Sequence, residues 1–582
     1  MIKTYKKIWL LFDSNEKKKA IYLLLLMIFM AFFEVLGVGS IMPFLAVLGD
    51  PQKVYTNEYL YTVFQWGEFS NTNSYLIFLG VFAFVMLLLS ALLRSFAQYA
   101  QFRFTNLRRH SIARKLLVRY IHQPYSFFLM RNSSDISKTI LSETDLLIGQ
   151  IIMPAFKVLT YGVIAIVLTS FLLLVDFSLA MILSIVFGSF YILMYLSVRK
   201  FLSKLSVERS HSNTQRFKMT AETIGGIKDL KLLGREKVYL KSFETPSFNF
   251  SKYAAISQTI SMIPNFMVEV LAFGAILAVA IYGLNSEETN LGNLLPILGL
   301  YSLGALKLKP AFNNIYSSIS TMKFGNSTLD NILEDLQKEE VLEIKPDNRN
   351  MLLKEYLVLK NINFYYPNSL KPSLSNISFK IKANTTVGII GTTGAGKSTL
   401  IDVMLGLLSP SSGEIKIDST VLNNENIRMW QNSIGYVPQN IFLADDTIAS
   451  NIAFGIEKNN IDFEQVKKVS EMAQVHDFIE SLDNKYETLI GENGVRLSGG
   501  QRQRLGIARA LYHNPNILFL DEATSALDNE TEKEVMNAIH KLNGQKTIIM
   551  IAHRLSTIEN CDVVIKLKKG NILDINTNGR LQ

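Results

Sequence analysis

TVGIIGTTGAGKSTLIDVMLGLL, residues 386–408, decides how the second half of this chain is read. It opens with a short apolar run suited to a buried strand, passes through a glycine-rich loop and continues as an apolar helix. The loop has the form G-x-x-x-x-G-K-[ST] in a strand–loop–helix setting, which is the sequence of a phosphate cradle. Gly391, Gly394 and Gly396 let the backbone of Gly391, Thr392, Thr393, Gly394, Ala395 and Gly396 curl with its N–H groups inward. The helix that follows adds the positive end of its dipole. Lys397 is expected to reach the β- and γ-phosphates of ATP, the Ser398 hydroxyl to ligate Mg²⁺, and Thr399 to complete the loop.

Two further apolar runs end in chemistry-bearing residues. ILFL at 517–520 leads into Asp521 and Glu522. A carboxylate at the end of such a strand suits Mg²⁺, and the next one suits polarisation of an attacking water. TIIMIA at 547–552 leads into His553, which is placed to contact a γ-phosphate.

LSGGQ at 497–501 narrows the reading. Ser498, Gly499 and Gly500 open a helix whose N-terminus can bind phosphate, with Gln501 in the first turn. Residues 351–582 resemble the ABC-transporter ATPase family. The resemblance implies that Tyr366 in FYYP stacks on adenine, although neighbouring Tyr365 is an alternative. It implies that Gln439 in YVPQN reaches Mg²⁺ and couples to a membrane domain. Asp528, in SALD at 525–528, would lie on the loop linking two ATP sites, and GENG at 491–494 would contact the membrane domain. Glu522 and His553 would be the catalytic pair. In this family each site joins the phosphate loop of one subunit to the LSGGQ of another, so two chains are required. Intact motifs favour a homodimer.

The remainder of the chain is of a different character. The 582 residues are 48% hydrophobic and 19% charged, against a usual ~25% charged. This balance excludes a disordered or fibrous protein and disfavours a wholly soluble enzyme. Cys561 is the single cysteine, so no intramolecular disulfide forms. Six apolar runs, about 21–48, 75–100, 151–175, 177–198, 262–282 and 291–312, each meet the ~20 residues that a bilayer core requires. Residues 1–20 mix aromatic and basic residues as an interfacial elbow does. The first run is too long for a signal-peptide core and is expected to be retained. The division expected is an elbow (1–20), a transmembrane domain (21–325), a linker (326–350) and a nucleotide-binding domain (351–582).

The net charge of +9 belongs to this membrane arrangement. Arg103, Arg108, Arg109, Arg114, Lys115 and Arg119 follow the second run; Lys228, Lys231, Arg235, Lys237 and Lys241 separate the fourth and fifth. The opposite loops carry mostly acids. The positive-inside rule then places both termini and the ATPase in the cytoplasm, with no nucleic-acid partner needed. A six-span domain fused ahead of an ATPase resembles ABC exporters, whose long cytoplasmic helices press on the ATPase. Segments 124–137 and 224–237 are the candidate contacts.

Charges within apolar runs point to cargo, since each costs ~2.5–3.5 kcal/mol or more at the bilayer centre. Arg94, Lys307 and Lys309, with Lys157 near them, are expected to form a cationic belt holding an anionic head group among membrane lipids. The alternative is that they snorkel or pair with protein acids such as Glu269. FFEVLGVGSIMPFLAVLGDP, residues 32–51, is similar to bacterial inner-membrane exporters that flip polyprenyl-diphosphate-linked oligosaccharides. A lipid A or phospholipid flippase, or a drug or peptide exporter, is the competing expectation. An ATP-gated channel is a more distant one.

Overall fold

A computed structural model of the chain describes residues 1–175, 177–284, 291–337, 349–367, 369–521, 544–551 and 561–577. It divides into two units: Met1–Ile121 with Arg131–Glu339, and His122–Met130 with Glu340–Gln582.

The first unit is helical. After the short helix Ile2–Leu11 come Ser14–Gly39, Ile41–Gly49, Thr72–Ile121, Met153–Val175, Phe177–Gly225, Glu236–Leu284 and Leu291–Gln337. Thr72–Ile121 has 50 residues, about 75 Å at ~1.5 Å rise per residue, which is far more than a bilayer core of ~30 Å. Such helices must continue into water, as their basic distal halves require. Among the described residues four segments are long and apolar enough to cross a membrane: Ser14–Gly49, Thr72–Ile121, Ser133–Leu174 and Ser184–Gly225. Phe29, Phe32, Phe84 and Leu92 stand on their exposed faces, where lipid rather than water would cover them.

The first apolar run is not one straight helix. It breaks at Ser40, between Ser14–Gly39 and Ile41–Gly49. Pro43 supplies the reason: it has no N–H for the Gly39 carbonyl, and its ring crowds that carbonyl. Ser40 covers the break by donating its hydroxyl to the Gly37 carbonyl at 2.8 Å.

Polar ties hold the water-side portions of these helices together. Asp13 caps Ser14–Gly39 in a reciprocal box with Glu16, and Glu16 also pairs with Arg108 and Lys115. Asp335 accepts two parallel bonds from Arg131 at 2.9 Å each and one from the Tyr120 hydroxyl at 2.7 Å. Glu143 joins Asn213 and Thr328 at 3.0 and 2.8 Å. Removing one partner from a buried ion pair costs about 3–5 kcal/mol because the other charge stays desolvated. Asp335→Ala is therefore expected to destabilise this unit by about 3 kcal/mol. Thermal unfolding in detergent should show a drop in Tm, and Asp335→Ala/Arg131→Met should recover part of it.

Among the described residues the second unit has ten strands: β1 (Tyr356–Phe364), β2 (Leu374–Lys382), β3 (Thr386–Gly391), β4 (Ser412–Ile417), β5 (Thr420–Val421), β6 (Ile434–Val437), β7 (Ile517–Asp521), β8 (Thr547–Ile551), β9 (Val563–Lys568) and β10 (Asn571–Thr577). One antiparallel sheet has the order β2-β1-β4-β5. The other has the order β10-β9-β3-β8-β7-β6, with β9, β3, β8, β7 and β6 mutually parallel. β7 and β8 are buried at every residue, as uninterrupted apolar strands covered on both faces must be.

Side chains of β7 alternate between two cores. Ile517 and Phe519 pack with Leu400 and Ile401 of the helix Lys397–Met404. Leu518 and Leu520 pack with Leu505 and Ile507 of the helix Gly499–Tyr512. These two helices therefore occupy opposite faces of the six-stranded sheet.

Candidate functional site

The glycine loop is built by close approach. A Cβ on Gly391 would lie 2.4 Å from the Leu567 carbonyl oxygen, so β3 can meet β9 there only without a side chain. Gly396 has φ +98° and would place a Cβ 2.8 Å from the Ser373 oxygen. The β9–β10 turn braces the loop from behind: the Gly570 N–H donates to the Ala395 carbonyl at 3.0 Å, and Ser375 N–H donates to the Gly570 carbonyl at 2.8 Å. Left-handed Lys569 and Gly570 make that turn.

Lys397 is buried and curls over its own loop, its ammonium donating to the Gly391 oxygen at 2.9 Å and the Thr392 oxygen at 3.4 Å. Thr392, Thr393, Gly394 and Ser398 are exposed at the loop's mouth, while Ala395 and Thr399 are buried beneath it. Thr399 Oγ1 lies 3.0 Å from the Tyr366 hydroxyl. Tyr366 in turn packs edge-on against Phe364, with centroids 5.1 Å apart. Tyr366 is thus the aromatic fastened to the loop. Tyr365 is exposed, and its backbone N–H donates to the Ser411 hydroxyl at 3.2 Å.

The parallel order sets the C-terminal ends of β3, β8, β7 and β6 side by side, which is where open α/β sheets bind ligands. Asp521 ends β7, buried and paired in register with Ile551. Gln439 is exposed just beyond β6. Burial pushes the carboxyl of Asp402, on the helix after the glycine loop, up to about 6, and the Asp521 charge adds to the rise. Tyr125, from the His122–Met130 segment, is raised by burial and by the Asp402 charge, so this segment reaches the same polar end of the unit. Among the described residues no group of three His, Cys, Asp or Glu gathers as a protein-only metal cage. One buried carboxylate, a hydroxyl and an amide suit Mg²⁺ carried on phosphates, which takes few protein ligands. Glu522, Asp528 and His553 lie outside the described residues, as does the side chain of Lys307.

LSGGQ forms a helix start. Ser498 caps Gly499–Tyr512 in a reciprocal box: its hydroxyl accepts from the Gln501 N–H at 3.2 Å, and Gln501 Oε1 accepts from the Ser498 N–H at 2.8 Å. The N–H groups of Gly499 and Gly500, at the first two helical positions, have no intrahelical acceptor and face outward with the dipole. Arg509 locks this helix to the segment that follows Gln439. It donates to the carbonyls of Asn451 at 2.8 Å and Phe442 at 2.7 Å and stacks on Phe454 at 4.7 Å. Burial brings its guanidinium down to about 10. Gly494, with φ +65°, meets Leu443 of the same segment, where a Cβ would come within 2.6 Å. Neither Arg509 nor Gly570 stands out in the sequence. Arg509 sits in an ordinary helical position, and the only trace of Gly570 is the Lys-Gly pair of a hairpin turn.

In the membrane unit two of the cations singled out in the sequence have acidic neighbours, as the pairing alternative expects. Arg94 pairs with buried Glu34 at 3.2 Å, and Lys309 pairs with Glu269 at 3.0 Å. The physical reason is the cost of a lone charge at this depth, which an acid on a neighbouring helix removes. Arg94 remains 45% exposed and shares a small cleft with Lys157, Gln98 and Gln101.

Comparison with known proteins now bears on both units. Residues 19–303 match the family described as ABC transporter transmembrane region, and residues 374–525 match ABC transporter. The chain is 32% identical over 477 residues to an ATP-dependent lipid A-core flippase of Saccharophagus degradans, covering 81% of this chain and 78% of that protein. The chain belongs to the ABC transporter family. A second relative of this ABC transporter, the ATP-dependent lipid A-core flippase of Photorhabdus laumondii, is 30% identical over 466 residues and 79% of each chain. A solved bacterial Atm1-family ABC exporter with ATP bound superposes with a TM-score of 0.78 over 97% of this chain and 96% of that one. At 21% identity the likeness is one of fold. This ABC transporter therefore couples ATP hydrolysis to transport, through an exporter-type helical domain and an ABC ATPase domain.

Proposed function

We propose that this ABC transporter is a homodimeric flippase that carries an anionic glycolipid of the lipid A type from the cytoplasmic to the outer side of a bacterial inner membrane. The observation that carries the proposal is similarity at about one residue in three, through both units, to relatives named as lipid A-core flippases. That similarity favours a lipid A-type cargo over the polyprenyl-diphosphate-linked oligosaccharide suggested by residues 32–51. Both cargoes present phosphate groups on a lipid, so Arg94, Lys307 and Lys309 would serve either. In this reading substrate phosphates compete with Glu34 and Glu269 for those cations.

The ATP site belongs to the same proposal, and the shape of the glycine loop supports it. The glycine loop and Lys397 hold the phosphates, Tyr366 the adenine, and Ser398, Gln439 and Asp521 the Mg²⁺. That ion supplies neutralisation of phosphate charge. Glu522 orients the attacking water and His553 contacts the γ-phosphate. The glycine loop and LSGGQ belong to helices on opposite faces of one sheet, which supports completion of each site by Ser498, Gly499, Gly500 and Gln501 of a second copy, with Asp528 linking the two sites. Closure then passes through Gln439 and the His122–Met130 segment to six spans, with both termini cytoplasmic. The domain limits of 1–20, 21–325, 326–350 and 351–582 belong to the same proposal.

Lipid-dependent ATPase measurements in nanodiscs test the cargo. Lipid A-type glycolipid should stimulate hydrolysis more than a polyprenyl-diphosphate oligosaccharide, a zwitterionic phospholipid or a cationic drug. Equal rates with all four would remove the cargo assignment, and stimulation by the oligosaccharide alone would restore the other reading.

A further inference from the structure

The helix Ile2–Leu11 buries Ile8 and Leu11 against the membrane unit and leaves Ile2, Trp9 and Leu10 exposed. Between this helix, the start of Ser14–Gly39 and Met153–Val175 lies a cavity of about 700 Å³. Its walls include Trp9, Leu10, Phe12, Leu24, Phe156 and Leu159. Tyr5 also faces it, with its hydroxyl already donated to the Ala155 carbonyl at 2.9 Å. The volume is that of a ligand pocket, ~300–1,000 Å³. Water does not account for it, because an ordered water needs two to four polar partners and these walls are hydrocarbon and aromatic.

Charge marks one edge. Among the lining residues Lys6 alone is charged, and it has no acidic partner among the described residues. Lys7, next to it, is bound to Asp330 at 2.5 Å. Lys17 sits 5.9 Å over the ring of Trp9, another lining residue, so a second ammonium stands beside the cavity wall. The helix leads directly into a membrane-crossing segment at its basic, cytoplasmic end, where acyl chains of the inner leaflet are the hydrocarbon within reach.

We infer that this cavity is a resident-lipid site: it takes an acyl chain of an anionic bilayer phospholipid, with the head-group phosphate held by Lys6. It shares no lining residue with the cleft beside Arg94, and the inference does not depend on which lipid is transported.

Trp9 provides the readout. Trp66 is exposed at the end of the helix Glu58–Trp66 and Trp430 is fully buried in the ATPase unit, so Trp66→Phe leaves Trp9 as the one tryptophan that membrane quenchers can reach. The full-length protein in phosphatidylcholine nanodiscs is titrated with dibrominated phosphatidylglycerol or dibrominated phosphatidylcholine at equal mole fraction. The anionic lipid should quench Trp9 with about fivefold higher apparent affinity, the enrichment one lysine provides at a membrane surface. Lys6→Gln should bring the two lipids together, while Ala155→Phe, which puts a ring into the cavity and narrows it, should reduce quenching by both. Equal quenching of the parent protein by the two lipids overturns the inference. So does a preference that survives Lys6→Gln, or quenching unchanged by Ala155→Phe in a protein with parental Tm.

Discussion

Lys397→Met is expected to lower ATP hydrolysis by about 10²–10³-fold, the loss that follows removal of one preorganised donor from a developing charge. The expectation rests on how the side chain is held. Lys397 is buried, and among the described residues its ammonium bonds to two carbonyls of its own loop, Gly391 and Thr392, which poises it at the loop. Methionine keeps most of the stem and its packing, so the fold should persist with little change in Tm. Steady-state phosphate release, with nucleotide binding measured alongside, checks the prediction. Weakened binding together with lost turnover is the expected pair.

Glu522→Gln should cost about 10²–10⁴-fold in hydrolysis, the range for loss of a general base, while leaving nucleotide affinity near that of the parent. The two variants separate binding from chemistry. Lys397→Met impairs the grip on phosphate, whereas Glu522→Gln leaves the grip and removes the group that orients water. With ATP retained, Glu522→Gln should also accumulate as a closed dimer, visible as ATP-dependent cross-linking of two copies. Cys561 will not interfere, because it is buried and its thiol is pushed up to about 12 by that burial and the neighbouring Asp562.

The ATPase unit is legible in the sequence where chemistry leaves no choice of residue. Gly391 must lack a Cβ because the Leu567 carbonyl is 2.4 Å from where one would stand, and that requirement appears as a glycine in the pattern. Ser498 and Gln501 show their reciprocal cap as a three-residue spacing. The strands Ile517–Asp521 and Thr547–Ile551 appear as nearly unbroken apolar runs because both of their faces are covered. Pairings far apart along the chain are not legible in this way. Glu34 meets Arg94 sixty positions away, and nothing local in either segment announces it. The sequence therefore leaves head-group binding and pairing with protein acids side by side, and it points to Glu269 as a partner but not to Glu34. The break at Ser40 has a visible cause in Pro43, yet the surrounding apolar run hides it. Cargo is the least legible feature, since lipid phosphates of several kinds ask for the same arginines and lysines.

Translocation of labelled lipid A-type glycolipid across proteoliposomes, with the parent protein and with Glu522→Gln, joins the two halves of the molecule in one readout. The parent should move the lipid outward only when ATP and Mg²⁺ are present, and Glu522→Gln should not sustain transport under the same conditions. Equal movement with and without ATP, or sustained transport by Glu522→Gln at the parent's rate, would contradict an ATP-driven flippase.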